Sequence, residues 1–137
     1  MNVIAVDTSV LLAIFKGEPK GELWLKCLLS AAETASLVVS SVVLAECRSY
    51  FPSDDACQKA LAALEIRHSP LTEEASLLAG TIFRVYRDEG GPRQSILPDF
   101  LVAAHAATQA ESLATEDRGY LRRYFPSIRL LTPAAPA

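Results

Sequence analysis

The sequence lacks a Cys-X-X-Cys pair, a surplus of positive charge and an apolar run of membrane-spanning length, and each absence removes a class of protein. Its three cysteines, Cys27, Cys47 and Cys57, are odd in number and widely spaced, which excludes a disulfide framework and leaves them as small buried hydrophobes. His68 and His105 stand far apart with no cysteine or second histidine at zinc-ligand spacing. Against 16 Asp+Glu there are only 13 Lys+Arg, a formal net charge of −3, so a bulk electrostatic nucleic-acid binder is disfavoured, although a local basic patch stays open. The longest stretch without a formal charge, 34–45, is twelve residues and carries serines. A bilayer-spanning helix needs roughly 18 or more, so no membrane role is expected. The N-terminal stretch has no basic segment and reaches a carboxylate at Asp7, unlike a signal peptide, and the expected location is the cytoplasm.

What is present is a globular composition: 137 residues, half of them apolar, enough for one domain with a real core and too few for two. The apolar surplus points to a protein partner or a dimer. Short continuous apolar runs alternate with helical patterns. Val3 to Val6 reads as a strand buried on both faces, Thr8 and Ser9 as caps of an apolar helix to Phe15, and Gly17-Glu18-Pro19 as its end. A second helix follows over Glu22 to Ala32, a second strand over Ser36 to Ser40, and a helix capped by Ser41 that carries Glu46. Ser53-Asp54-Asp55 opens another helix, Ile66 to Ser69 is a short strand, and Thr72-Glu73-Glu74 starts a long amphipathic helix broken at Gly90-Gly91-Pro92. Pro98 and Asp99 begin an Ala-rich helix to about Ala110; strands at Leu113 to Thr115 and Ile128 to Leu131 flank a turn and short helix. The pattern predicts an α/β domain over residues 1–131, three layers α/β/α around a parallel sheet of four to five strands, with 132–137 a frayed tail.

In such sheets the site lies beyond the carboxyl ends of the strands. Four acids stand near those ends: Asp7 after the first strand, Glu46 on the helix after the second, Asp99 opening the Ala-rich helix, and Asp117 after the fourth strand. Any single Asp could be only a cap or turn residue. Glu46 is harder to dismiss, because Val42 to Ala45 and Cys47 make its helix apolar on most sides and imply a part-buried carboxylate. Acids converging without basic partners repel, so the simplest neutralising partner is a divalent cation, and oxygen-only ligands select Mg²⁺ or Mn²⁺. Water activated by such an ion attacks phosphodiesters without a Cys, Ser or His nucleophile.

The order Val6-Asp7-Thr8-Ser9-Val10-Leu11-Leu12, Ser41-Val42-Val43-Leu44-Ala45-Glu46, Leu97-Pro98-Asp99-Phe100-Leu101-Val102-Ala103-Ala104-His105-Ala106 and Leu113-Ala114-Thr115-Glu116-Asp117-Arg118-Gly119-Tyr120 resembles the PIN domain, and within it the VapC toxins of bacterial toxin–antitoxin pairs. The resemblance covers about residues 2–131. It implies a Mg²⁺-dependent endoribonuclease, with Mn²⁺ able to substitute, that cleaves RNA, stops translation, forms a homodimer and is neutralised by a VapB-like antitoxin. The catalytic acids implied are Asp7, Glu46, Asp99 and Asp117, with Asp7, Asp99 and Asp117 as metal ligands and Thr8, Ser9, Thr115 and Arg118 in supporting or substrate-binding roles. One departure is the glycine often found before the fourth strand, replaced here by Gln109-Ala110-Glu111.

Arg118, Arg122 and Arg123 beside Tyr120 and Tyr124 form either a local RNA track, arginines on phosphate and aromatics on bases, or a solvated helix face; Arg84, Arg87 and Arg93 are similarly open. Phe15 and Trp24 are candidates for partner contacts or for core. Haloacid-dehalogenase-like phosphatases want a second Asp where Ser9 stands, and a response-regulator receiver wants adjacent acids after strand one. The remaining alternative is a non-catalytic PIN-like module that binds RNA or protein, against which the four intact acids argue.

Overall fold

The computed structural model describes residues 2–92 and 96–133; Arg93 and the last four positions of the expected frayed tail lie outside them. The chain order is β1 (Asn2–Val6), α1 (Thr8–Phe15), α2 (Pro19–Ala31), β2 (Ala35–Val39), α3 (Ser41–Arg48), α4 (Asp54–Ala63), β3 (Ile66–His68), α5 (Glu73–Asp88), α6 (Ile96–Gln109), β4 (Ser112–Ala114), α7 (Gly119–Tyr124) and β5 (Leu130–Leu131). All strand pairs are parallel, in the order β3-β2-β1-β4-β5. Helices cover the sheet to give the expected three-layer α/β/α fold. Because β2 and β3 are added on one side of β1 and β4 and β5 on the other, the strand order reverses between β1 and β4. A crevice opens at such a switch point, outside the carboxyl ends of the two strands.

Several boundaries differ from the sequence reading for physical reasons. Asp7, not Thr8 or Ser9, caps α1: its extended backbone lets its carboxylate accept from the Thr8 amide. Ser40 rather than Ser41 caps α3, its hydroxyl accepting from the Val43 amide. Helix α2 starts at Pro19, whose missing amide hydrogen costs nothing in a first turn. Helix α6 starts at Ile96, so Pro98 sits inside its first turn. Only Leu130–Leu131 of the proposed last strand pair as a strand. Gln109-Ala110-Glu111 closes the end of α6 without glycine: the Gln109 side-chain Nε2 donates to the Pro70 carbonyl at 2.9 Å, and the Glu111 backbone amide to the Val3 carbonyl at 2.8 Å.

The core runs along both faces of β1, β2 and β4, where Val6, Val39, Leu113 and Ala114 are buried. Trp24 is 1% exposed and is core, not a partner contact; Phe15 packs edge-on to Phe51 at 5.4 Å. The large apolar side chains that α2 leaves in solvent are Leu23 and Leu29. Cys47 and Cys57 are buried with sulfurs 4.0 Å apart, and burial, then Cys57, pushes the Cys47 thiol up to about 12, the inert state expected of core thiols; Cys27 is half-buried.

Helices α1 and α2 touch backbone to backbone at Gly21, where an added Cβ would meet the Ala13 carbonyl oxygen at 2.1 Å. Backbone cannot step aside as a side chain can. Gly21→Ala is expected to destabilise the fold by roughly 3 kcal/mol, through separation of the two helices, a loss a denaturant titration would read. A midpoint equal to that of the wild type would show that the helices are not in close register.

Candidate active site

The site begins with the end of β1. The Asp7 amide donates to the Ala114 carbonyl at 2.9 Å, which carries the β1–β4 ladder one residue past the strand and fixes the Asp7 backbone at the switch point. Its carboxylate is then held by three donors. Thr8 N–H reaches Oδ1 at 2.9 Å, while the Ser9 and Thr115 hydroxyls reach Oδ2 at 2.9 and 2.7 Å. Thr115 is fully buried, and having donated its proton to Asp7 it accepts the Asp117 amide at 3.0 Å. Ser9 likewise accepts the Glu116 amide at 3.1 Å. Two hydroxyls therefore tie the first acid to the loop that carries the last.

Glu46 comes from α3. Val43 and Cys47, four residues apart, turn that helix's apolar face inward, so Glu46 is exposed rather than part buried as its neighbours in sequence imply. Its Oε1 accepts the Thr8 hydroxyl at 2.8 Å, joining it to the helix that follows Asp7. Asp117 is also exposed; Asp99, in the first turn of α6, is half-buried. Burial and the negative charges of Asp117, Asp7 and Glu46, in that order, push the Asp99 carboxyl up to about 6. The other three sequence-predicted acids thus lie within electrostatic reach of Asp99. Among the described residues no three Asp, Glu, His or Cys side chains are already closed into a ligand cluster. The donor set, all carboxylate and mutually repelling, is nonetheless the kind a hard divalent cation neutralises.

The supporting residues divide. Thr8, Ser9 and Thr115 are parts of the bonded network. Arg118 occupies the N-cap position of α7, where its backbone carbonyl accepts from the Arg122 amide at 3.2 Å, and among the described residues its guanidinium joins no hydrogen bond or ion pair. The Arg123 guanidinium is 3.3 Å from Glu89, Arg84 pairs with Asp88, and Arg87 lies over the Phe83 ring.

Tyr120 and Tyr124 are not free platforms for bases. Both rings pack on Phe100, at 5.9 and 5.4 Å between centroids. Tyr120 is also the residue that reading the sequence did not place in the site: its hydroxyl donates to the Asp99 carbonyl at 3.2 Å. Burial and the charges of all four acids hold its phenol well above the usual range, so it remains a donor. The two histidines lie outside the acid group, His105 fully buried with Nε2 3.0 Å from the Ser69 hydroxyl and His68 Nε2 3.0 Å from Ser41 Oγ. Among the described residues no helix is long and apolar enough to cross a membrane.

Comparison with known proteins gives the same outline. A family model described as PIN domain matches residues 4–126. No curated protein matches the sequence. Among solved structures, VapBC2 from Rickettsia felis bound to a DNA fragment from its promoter superposes with a TM-score of 0.71 at 21% identity, over 94% of this chain and 97% of that one. DNA-bound VapBC from Salmonella typhimurium gives a TM-score of 0.66 at 19% identity, over 96% and 98%. Mycobacterium tuberculosis VapC20, a sarcin-ricin loop cleaving toxin, gives 0.60 at 20% identity, over 87% and 93%. At these identities the likeness is one of fold.

Proposed function

The chain belongs to the PIN domain family, and from that premise we propose that it is a VapC-type toxin: a divalent-metal-dependent endoribonuclease that cuts RNA, inhibits translation and is neutralised by a VapB-like antitoxin. The observation that carries this reading is the acid group itself. Asp99, half-buried and facing the charges of Asp117, Asp7 and Glu46, is forced up to about 6, and its ionised form costs stability unless a cation joins the group. The neighbouring folds support the partner: the Rickettsia and Salmonella structures are VapBC complexes, and VapC20 is described as cleaving the sarcin-ricin loop.

Asp7, Asp99 and Asp117 would hold Mg²⁺, or Mn²⁺ in its place, and Glu46 completes the acid set. When bound, the ion supplies an activated water and neutralises charge on the transferring phosphate. The chain's own contribution is orientation. Ser9 and Thr115 fix the direction of the Asp7 carboxylate, and Thr115 sets the Asp117 backbone against it. Thr8 holds Glu46 at the crevice, where its exposed carboxylate can accept a proton from water. Arg118, beside Asp117 and with a guanidinium that joins no bond among the described residues, is available to meet an RNA phosphate. Location in the cytoplasm and association as a homodimer are further parts of this reading.

The test is cleavage of total cellular RNA by the purified chain with Mg²⁺, with Mn²⁺ and with chelator, beside Asp7→Asn. Discrete fragments that need metal and disappear in Asp7→Asn are the expected result. RNA left intact by a protein that still binds metal would move the reading to a non-catalytic RNA- or protein-binding PIN module.

A further inference from the structure

Two of the acids belong to different parts of the chain, and something has to hold them close. Asp99 lies in the first turn of α6, while Asp117 lies in the loop between β4 and α7. Like charges brought to one site push the segments that carry them apart. The Ser9 and Thr115 hydroxyls tie the loop that carries Asp117 to Asp7, and among the described residues neither is hydrogen-bonded to Asp99.

Tyr120 makes that contact. It sits on α7 three residues past Asp117, its hydroxyl bonds the Asp99 carbonyl, and its ring lies 5.9 Å from Phe100, the next residue of α6. We propose that Tyr120 is a positioning residue that sets the spacing of Asp99 from Asp117 by bonding the Asp99 backbone from α7, and so tunes the affinity of the acid group for its divalent cation. This rests on the metal-dependent reading given above.

The geometry makes the claim separable from packing. Tyr120→Phe deletes one oxygen and leaves the ring against Phe100. Tyr124→Phe is its internal control: the same helix, the same aromatic cluster, but a hydroxyl 3.3 Å from Glu89 instead of Asp99. Groups that orient metal ligands from outside the ligand set are worth about 10- to 100-fold in metal affinity.

The experiment is calorimetric titration of Mn²⁺ alone into the metal-free full chain, without RNA, for wild type, Tyr120→Phe and Tyr124→Phe, together with their metal-free melting temperatures. Tyr120→Phe is expected to weaken Mn²⁺ binding about 10-fold with little change in melting temperature, and Tyr124→Phe to bind as wild type does. In RNA cleavage the Tyr120→Phe loss should be recovered by raising Mn²⁺, with KM for RNA unchanged. Equal Mn²⁺ affinity in Tyr120→Phe and wild type overturns the positioning role alone, as does equal weakening in both variants. A wild type that binds no Mn²⁺ overturns the metal-dependent reading with it.

Discussion

Replacing Asp99 by asparagine is expected to move activity and stability in opposite directions. RNA cleavage should fall by roughly 1,000-fold or more, because a proposed metal ligand is lost. The metal-free protein should melt higher. Folded Asp99 keeps its proton up to about pH 6, whereas the unfolded chain releases it near 3.8, so between those values the folded state holds more protons. By linkage, stability then falls as pH rises through this window and stays lowered above it. Allowing for the solvent that reaches a half-buried carboxylate, the ionised group costs about 2 kcal/mol near neutral pH.

Asparagine removes that cost and gives up only the favourable interaction of a first-turn carboxylate with the helix dipole, about 0.3–1 kcal/mol. Repulsion outweighs the dipole. The expected gain is about 5 °C near pH 7.5, shrinking to nothing near pH 4 as wild-type Asp99 protonates. Mg²⁺ at 100 times its dissociation constant should raise the wild-type melting point by the equivalent of about 2.7 kcal/mol and leave Asp99→Asn unmoved. Paired thermal melts across pH, with and without Mg²⁺, measure all of this. A metal-free Asp99→Asn that melts several degrees below wild type would make Asp99 a helix-terminus stabiliser and nothing more.

The same comparison shows what could be read in the chain before its fold. The alternation of short apolar runs with helices was enough for a three-layer α/β/α domain, because strands buried on both faces are continuous apolar runs, as Val3 to Val6 is. Two of the acids were legible for the same reason: Asp7 follows β1 directly, and Asp117 comes three residues after the end of β4. Burial of a helical residue was not. Glu46 looked half-buried among Val42 to Ala45, yet α3 turns Val43 and Cys47 inward and leaves Glu46 in solvent, and only tertiary packing fixes that rotation. Cap positions slipped by one residue at Asp7 and Ser40, where two adjacent side chains can each accept an amide. The Tyr120 hydroxyl was out of reach because its partner is a backbone carbonyl 21 residues away, and no side-chain pattern announces a carbonyl.

Phe100→Ala is expected to be a strongly damaging core change. Phe100 is fully buried, and five rings pack on it: Phe83, Tyr86, Tyr120, Tyr124 and Phe125, at centroid distances of 5.4 to 6.3 Å. Truncation forfeits the transfer energy of the ring and leaves a cavity that rigid aromatic neighbours fill poorly, about 3–5 kcal/mol by comparison with other buried phenylalanines. For a domain of 137 residues that is a fall of roughly 10–20 °C, enough to leave the variant marginal at 37 °C. Phe100→Leu keeps most of the volume and should cost about 1–2 kcal/mol. Denaturant titration of both variants gives the order, and a Phe100→Ala cost under about 1 kcal/mol would mean that the cluster is loosely packed. The consequence reaches the site: Phe100 follows Asp99 on α6 and anchors Tyr120 on α7, so the core that stabilises the domain also holds two of its acids in register. A folded Phe100→Leu protein is therefore expected to lose Mn²⁺ affinity as well as stability.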